Sequence, residues 1–314
     1  VDFESGELQY DGLLESVESE DNQTWTLKIK DGYTFQNGEP VNAEAFIRAW
    51  EYSANPKNAQ ATAGFLSRIE GAGKAKGLSG VTAVDDQTLE VKLNAPFSQF
   101  GQMLSYTPAF APIAQECIDD VKACNEEPIG TGPFVFSRYQ KDAVIRYKGN
   151  QDYWKPDDVK IDNLIFAINT DASVRMQKLK AGECHVTLFP RPADIASLQQ
   201  DANLQMPEQA GFNVGYIAYN VTHPPFDKLE VRQALDMAVN KQAILNAVYQ
   251  DAGQLAVNGM PPTQWSYNED IKDPAFDPEK AKELLKAAGV QEGTEITIWA
   301  MPVQRPYNPN AKQI

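Results

Sequence analysis

Histidine is scarce in this chain: His185 and His223 are the only two among 314 residues. Basic charge is short as well. Against 43 acidic residues stand 28 basic ones, a net charge of −15. That is the reverse of the footprint needed for nucleic acid or anionic lipid, so no nucleic-acid partner is expected, and the charge reads mainly as solubility. No apolar run approaches the roughly 20 residues that span a bilayer, and no signal-peptide pattern is present. The chain opens Val-Asp-Phe-Glu without Met, as a processed or excised segment would. Cysteine is few and odd in number: Cys117, Cys124 and Cys184. No Cys-x-x-Cys pair exists to build a structural zinc site. His185 adjoins Cys184 on an expected strand, where neighbours point to opposite faces and do not share one metal. Neither metal nor cofactor is expected. Cys117 and Cys124 close a short loop that an oxidising compartment could bridge. On one continuous helix they would instead lie about two turns apart, too far for a disulfide. Both readings stay open. Cys184 is then either a buried thiol or half of a bridge whose partner lies outside this chain.

What is present describes a globular α/β protein. Hydrophobic residues at 42% and charged residues at 23% are ordinary, and the length suits two domains or more. The stretch 21–46, DNQTWTLKIKDGYTFQNGEPVNAEAF, is the most punctuated. Trp25, Leu27 and Ile29 alternate with polar residues, the period of a half-buried strand. Asp31-Gly32 marks a turn, Tyr33 and Phe35 resume the alternation, and Asn37-Gly38 marks a second turn. Asn42 then suits the N-cap of a helix. Helix is expected over 43–70 with a break at Asn55-Pro56, loop over the glycines of 71–80, and strand over 87–93. Strands are also expected around Phe134/Phe136, Val144/Ile145 and 162–168. Asp171 should cap a helix whose stripe is Ala172, Met176 and Leu179 and which ends at Gly182. Strands at 185–189 and 295–300 and a helix from Val231 follow. Asp277-Pro278 and Gly289 should bound another helix. Strands and helices without strict alternation favour an α/β fold with mixed sheets.

Little in this pattern points to catalysis. Gly130-Thr131-Gly132 has no third glycine, and Pro133 and a strand follow rather than a helix, so it is no phosphate cradle. No Gly-x-Ser-x-Gly elbow occurs. Catalytic residues are therefore not assigned. Most of the 14 Phe, 12 Tyr and 5 Trp residues should be core, with a subset free to line a ligand cavity. The richest candidate site is 301–310, MPVQRPYNPN. Its prolines stiffen it, which lowers the entropy lost on binding. Arg305 carries a planar fork that matches a carboxylate. On the residues alone, a surface salt bridge is the commoner fate of such an arginine.

Several segments together resemble one family. TWTLKIKDG leading to FQNGEPVNAEAF is similar to the signature of extracytoplasmic peptide-binding proteins that feed ABC importers. DDQTLEVKLNAPFSQF at 85–100, PIGTGPF at 128–134, GNQDYW at 149–154 and YNVTHPPFDKLEVRQALDMAVNK at 219–241 resemble its further motifs. AGE at 181–183 does too, although His185 stands where that family usually has aspartate. From about residue 128 onward the chain is more similar to dipeptide-binding proteins of Gram-negative bacteria. Residues 1–127 are more similar to oligopeptide-binding proteins of Gram-positive bacteria, as in a hybrid chain.

The resemblance implies a two-lobe periplasmic-binding-protein-like fold, class C or type II, with an inserted extra domain and an incomplete second lobe. Residues 1–20 plus 128–210 would form first-lobe domain I, 21–127 the inserted domain II, and 211–314 part of second-lobe domain III. The resemblance places the ligand's C-terminal carboxylate on Arg305, with Tyr307 beside it. It implies a short peptide ligand, a membrane ABC permease as partner, a monomer, and a periplasmic or extracytoplasmic location, with lipid anchoring of the full-length protein left open. The aspartate that meets the ligand's amino group belongs to a later region of that family, so these 314 residues are expected to hold a peptide at one end only. The cysteine matching Cys184 pairs, in that branch, with one near the mature N-terminus. The rival readings are a haem, nickel or other solute receptor of the same fold, and a peptide hydrolase.

Overall fold

The structure, a computed structural model, describes residues 2, 5–74, 77–250, 252–303, 305, 308, 310 and 312–314. It divides into two compact units, Val1–Ile168 and Asn169–Ile314.

In the first unit, β1 (Leu14–Glu18), β2 (Thr24–Ile29), β3 (Val81–Asp85) and β4 (Thr88–Lys92) form one antiparallel sheet in the order β1-β2-β4-β3. The alternation of β2 works as expected: Trp25, Leu27 and Ile29 are buried. Opposite them Leu89 and Val91 of β4 pair with Leu27 and Trp25 and are buried too. Helix α1 (Ala43–Ala54) covers this face. Asn42 caps it, its Oδ1 accepting from the Ala45 N–H at 3.1 Å. The helix lays down Phe46, Ala49 and Trp50 and ends at Asn55, before Pro56. Trp50 also donates from Nε1 to the Phe110 carbonyl at 3.0 Å, so its one polar atom is satisfied inside the core. Tyr33 and Phe35 do not make the expected second strand. Only one bridge forms there, Thr34 with Pro40. Pro40 has no N–H with which to lengthen a ladder, so the segment closes as a tight loop over a buried Phe35.

Short helices α2 (Phe100–Met103), α3 (Thr107–Phe110), α4 (Gln115–Asp119) and α5 (Val121–Glu126) complete the wall of this core. Cys117 and Cys124 are disulfide-bonded, with Cα atoms 5.0 Å apart. A single helix would have kept them apart. Asp120 leaves helical conformation (φ −134°, ψ 81°) and caps α5, accepting from the Ala123 N–H. The helix is thus broken between the two cysteines. Cys184 is free.

A second antiparallel sheet, β5 (Phe134–Gln140), β6 (Val144–Gly149) and β7 (Asn163–Ala167), follows in sequence order. Phe136, Tyr147 and Phe166 run across it as edge-to-face ring pairs, with centroids 5.9 and 6.0 Å apart. The mixed sheets favoured by the sequence are, among the described residues, two sheets with antiparallel pairing throughout. Connections as short as Asp86-Gln87 permit only antiparallel neighbours.

Two sequence motifs meet in this unit. The Gln36 side chain donates from Nε2 to the carbonyls of Gly132 (3.2 Å) and Phe134 (2.9 Å), while its Oε1 accepts from the Gly130 N–H (3.3 Å). Asn150 Nδ2 adds a bond to the Gly132 carbonyl at 3.0 Å. Gly130-Thr131-Gly132 is therefore a backbone joint. Trp154 lies 5.2 Å from the Tyr33 ring, with the Lys155 ammonium 4.3 Å from its centroid.

The second unit is helical in its described part: α6 (Ala172–Lys180), α7 (Pro192–Gln199), α8 (Leu229–Ala238), α9 (Lys241–Ile244), a π-helical turn Leu245–Tyr249, and α10 (Pro278–Ala287). Asp171 Oδ1 caps α6 at the Val174 N–H (3.0 Å) and Asp277 Oδ1 caps α10 at the Lys280 N–H (2.9 Å). Gly182 and Gly289 close those helices at φ +73° and +79°, conformations that cost a side chain. Helices α8 and α10 pack together, and the Asp277 N–H donates to the Met237 carbonyl. Lys241 joins Asp236 and Asp273. Burial presses its ammonium pKa down, but the hydrogen bonds to the two carboxylates outweigh that and leave it raised.

The strands expected at 185–189 and 295–300 do not form. Among the described residues of this unit the one β-type pairing is the bridge Arg305–Asn308. An alternating segment becomes a strand only where a neighbour takes its N–H and C=O groups, and no sheet among the described residues of this unit supplies one. β1 shares a sheet with β2, and residues 128–168 belong to the first compact unit.

Candidate functional site

Arg305, the sequence's main candidate, is exposed on the loop after Met301. Its N–H donates to the Asn308 carbonyl at 3.0 Å, and the Asn308 N–H donates back at 2.9 Å. This reciprocal pair closes a narrow turn that carries the guanidinium outward. No ion pair engages that guanidinium among the described residues, so the salt-bridge alternative is not realised there. Tyr307, the second candidate, lies outside the described residues.

The loop is fastened on its far side. Asn310 and Gln313 exchange hydrogen bonds, Nδ2 to Oε1 and N–H to Oδ1, each 3.1 Å. Gln313 Nε2 then reaches the Ala247 carbonyl in the π-helical turn at 3.3 Å. Asn308 was not singled out by its sequence context, yet its Oδ1 is buried with no hydrogen-bond partner among the described residues.

A small open cavity of about 150 Å³ lies between α6 and α7, beside Met176, Lys180 and Leu198. Arg191 and Asp194 at its edge already satisfy each other through two 2.8 Å bonds. That bond holds the Asp194 carboxyl below the usual range. The cavity is too small for a ligand of peptide size, which needs roughly 300 Å³ or more. The described residues contain no helix long and apolar enough to cross a membrane, and no group of three or more His, Cys, Asp and Glu side chains placed to hold a metal ion.

The family model for bacterial extracellular solute-binding proteins, family 5, matches residues 9–314. Di/tripeptide-binding protein 1 of Pseudomonas aeruginosa is 57% identical, over 96% of this chain and 59% of its own length. The dipeptide-binding protein of Escherichia coli is 43% identical over 100% of this chain and 61% of its own length. These matches span both sides of residue 128. The chain thus covers about three fifths of the relatives it matches. Among solved structures, a dipeptide-binding protein from Pseudoalteromonas in complex with Met-Leu superposes with a TM-score of 0.80 at 30% identity, over 96% of this chain and 62% of the other. A periplasmic binding protein from Helicobacter pylori gives 0.77 at 26% identity, over 89% and 57%. The α/β fold is therefore that of periplasmic binding proteins. The chain belongs to the bacterial extracellular solute-binding proteins, family 5.

Proposed function

We propose that this chain is part of a receptor that captures short peptides outside the cytoplasm and hands them to a membrane ABC permease, without performing chemistry. The observation that carries the reading is Arg305: an exposed guanidinium on a stiff, backbone-bridged turn, in a chain whose relatives are named for di- and tripeptide binding. A planar guanidinium fork suits a terminal carboxylate. Tyr307 is proposed beside it. The protein would act as a monomer in the periplasm or an equivalent extracytoplasmic space. At the length of its relatives its lobes would follow the division 1–20 plus 128–210, 21–127, and 211–314 onward.

The test uses the protein at the full length of its relatives. Incubation with a peptide mixture followed by native mass spectrometry should retain intact short peptides. Cleaved products would replace the receptor by a hydrolase, and a coloured complex by a haem receptor. In calorimetric titrations, Arg305→Ala should weaken dipeptide binding about ten- to a hundredfold, since a charge-assisted pair contributes roughly 1.5–3 kcal/mol and each 1.4 kcal/mol is a factor of ten. Arg305→Lys should also lose affinity, because a point charge does not make the planar fork. Unchanged affinity in Arg305→Ala would remove this residue from the site.

A further inference from the structure

We propose that the groove between α6 and α7 is a second binding site, for a small monocarboxylate whose apolar body is no larger than a benzene ring. The inference is independent of the peptide-receptor reading. It starts from helix periodicity. On α6, Met176 and Lys180 stand at i and i+4 with Gln177 beside them, and on α7 Asp194 and Leu198 stand at i and i+4, so each helix turns one face to the groove. The cavity between these faces is about 150 Å³ and open to solvent. Its floor is apolar: Met176 and Leu198 are each 5% exposed. A volume of this order encloses a benzene-sized body but no peptide backbone. The rim supplies charge. Arg191 closes on Asp194 through two 2.8 Å bonds, so those two charges cancel. Lys180 is left over, since its ammonium makes no ion pair or hydrogen bond among the described residues. It stands close enough for Asp194 to feel its charge, which places it at the same mouth. The Gln177 amide, three residues before it on α6, takes no side-chain hydrogen bond among the described residues. An apolar floor under one uncommitted positive charge suits a compact anion with an apolar body. A carboxylate accepts from both an ammonium and an amide N–H. A phosphate would bring a second charge for which no second cation is left, because Arg191 is committed to Asp194.

The test uses the protein at the full length of its relatives, labelled with methyl-¹³C methionine, and benzoate as the probe. The Met176 methyl resonance, assigned through Met176→Leu, should shift saturably with a Kd on the order of 1–10 mM, the affinity that a ligand of ~9 non-hydrogen atoms reaches at ordinary efficiency. The same shift should persist in Arg305→Ala, which separates this groove from the proposed peptide site. Benzamide has nearly the same shape without the charge and should bind about three- to fivefold more weakly, as an exposed ion pair allows. Lys180→Gln should remove that difference. Lys180 is exposed on α6, so this variant keeps the fold. A Met176 methyl that stays in place, or drifts without saturating, overturns the site. Loss of the shift in Arg305→Ala overturns it as well, because benzoate would then act through Arg305. Equal binding of benzoate and benzamide, or a difference that survives Lys180→Gln, overturns the assignment to a carboxylate held by Lys180. None of these outcomes bears on the peptide reading, which the dipeptide titrations test separately.

Discussion

The two units handle their apolar residues in opposite ways. In Val1–Ile168, Trp50 is 1% exposed, and Leu27, Leu66, Ile69, Leu89, Leu93 and Phe100 are sealed around it. In Asn169–Ile314, Trp299 is 92% exposed, and Tyr216, Val186 and Ile298 stand largely in solvent. The sequence pattern is equally apolar in both. What differs is the presence of a partner. In the first unit, β2 and β4 pair with each other and α1 lies on them, so the alternating side chains have somewhere to go. In the second, helices α8 and α10 cover one another, while the alternating segments at 185–189 and 295–300 have no ladder to join among the described residues. Apolar alternation creates the demand for burial, and topology decides whether it is met.

The sharpest way to break this contrast is to delete one tryptophan from each unit. Trp50→Ala removes a fully packed ring and a satisfied indole N–H, and should cost about 3–5 kcal/mol. Trp299→Ala should change stability by less than about 0.5 kcal/mol, as substitutions at exposed positions do. Denaturant unfolding of the two variants compares them directly. Equal losses would mean that Trp299 is buried in solution and that the contrast is false.

The cysteines give a smaller version of the same comparison. Replacing Cys117 and Cys124 by serine opens a covalent loop inside the first unit's wall and should cost roughly 2–3 kcal/mol by the loop-entropy relation. Cys184→Ser in the second unit breaks no bond and should be close to neutral, within about 0.5 kcal/mol. Thermal unfolding under non-reducing conditions measures both. A loss in Cys184→Ser as large as in the double variant would show a bond or contact at Cys184 that this structure does not contain.

Much of this architecture was legible in the residues themselves, for local reasons. Asn42, Asp171 and Asp277 announce helices because a side-chain acceptor immediately before the first turn satisfies a free N–H three residues on. Gly182 and Gly289 announce ends because the left-handed closing residue suits glycine. The disulfide was open for an equally local reason. The spacing of the cysteines alone allows a bridged loop or a helix that keeps them apart, and Asp120 between them, a capping residue, breaks the helix. Other features are not local. Gln36 acts on carbonyls 96 and 98 residues away, and no spacing rule connects a hairpin glutamine with a distant glycine pair. At the candidate site, the loop composition made Arg305 visible. Asn308 was not, because its interest lies in an unpaired buried oxygen, a property of packing that a sequence does not display.

The smallest effect sharpens the comparison through pH. Each unit has an aspartate whose carboxyl is held below the ordinary range by main-chain donors. In the first unit it is Asp21, bonded by the N–H groups of Thr24 and then Gln23; in the second it is Asp171, bonded first by the N–H of Val174. A carboxylate whose pKa is depressed by folding stabilises the native state above its unfolded value of about 4. That contribution is lost as pH falls through the lower, folded value. Both units should therefore weaken on the acid side, but the consequence should differ. Asp21 fixes the turn between β1 and β2, and β2 buries Trp25, Leu27 and Ile29 in the core, so its protonation should leave the β1–β2 pairing in place. Asp171 caps a nine-residue helix that buries only Met176, so α6 should fray. Amide hydrogen exchange between pH 5 and pH 2.5, corrected for intrinsic rates, reads each site separately. The protection of Val174 and Arg175 should fall over this range, while that of Leu27 and Val91 stays constant. Asp171→Asn retains a capping oxygen without the titration, so it should flatten the α6 profile. A profile that still falls in Asp171→Asn would assign the acid sensitivity of the second unit to another group.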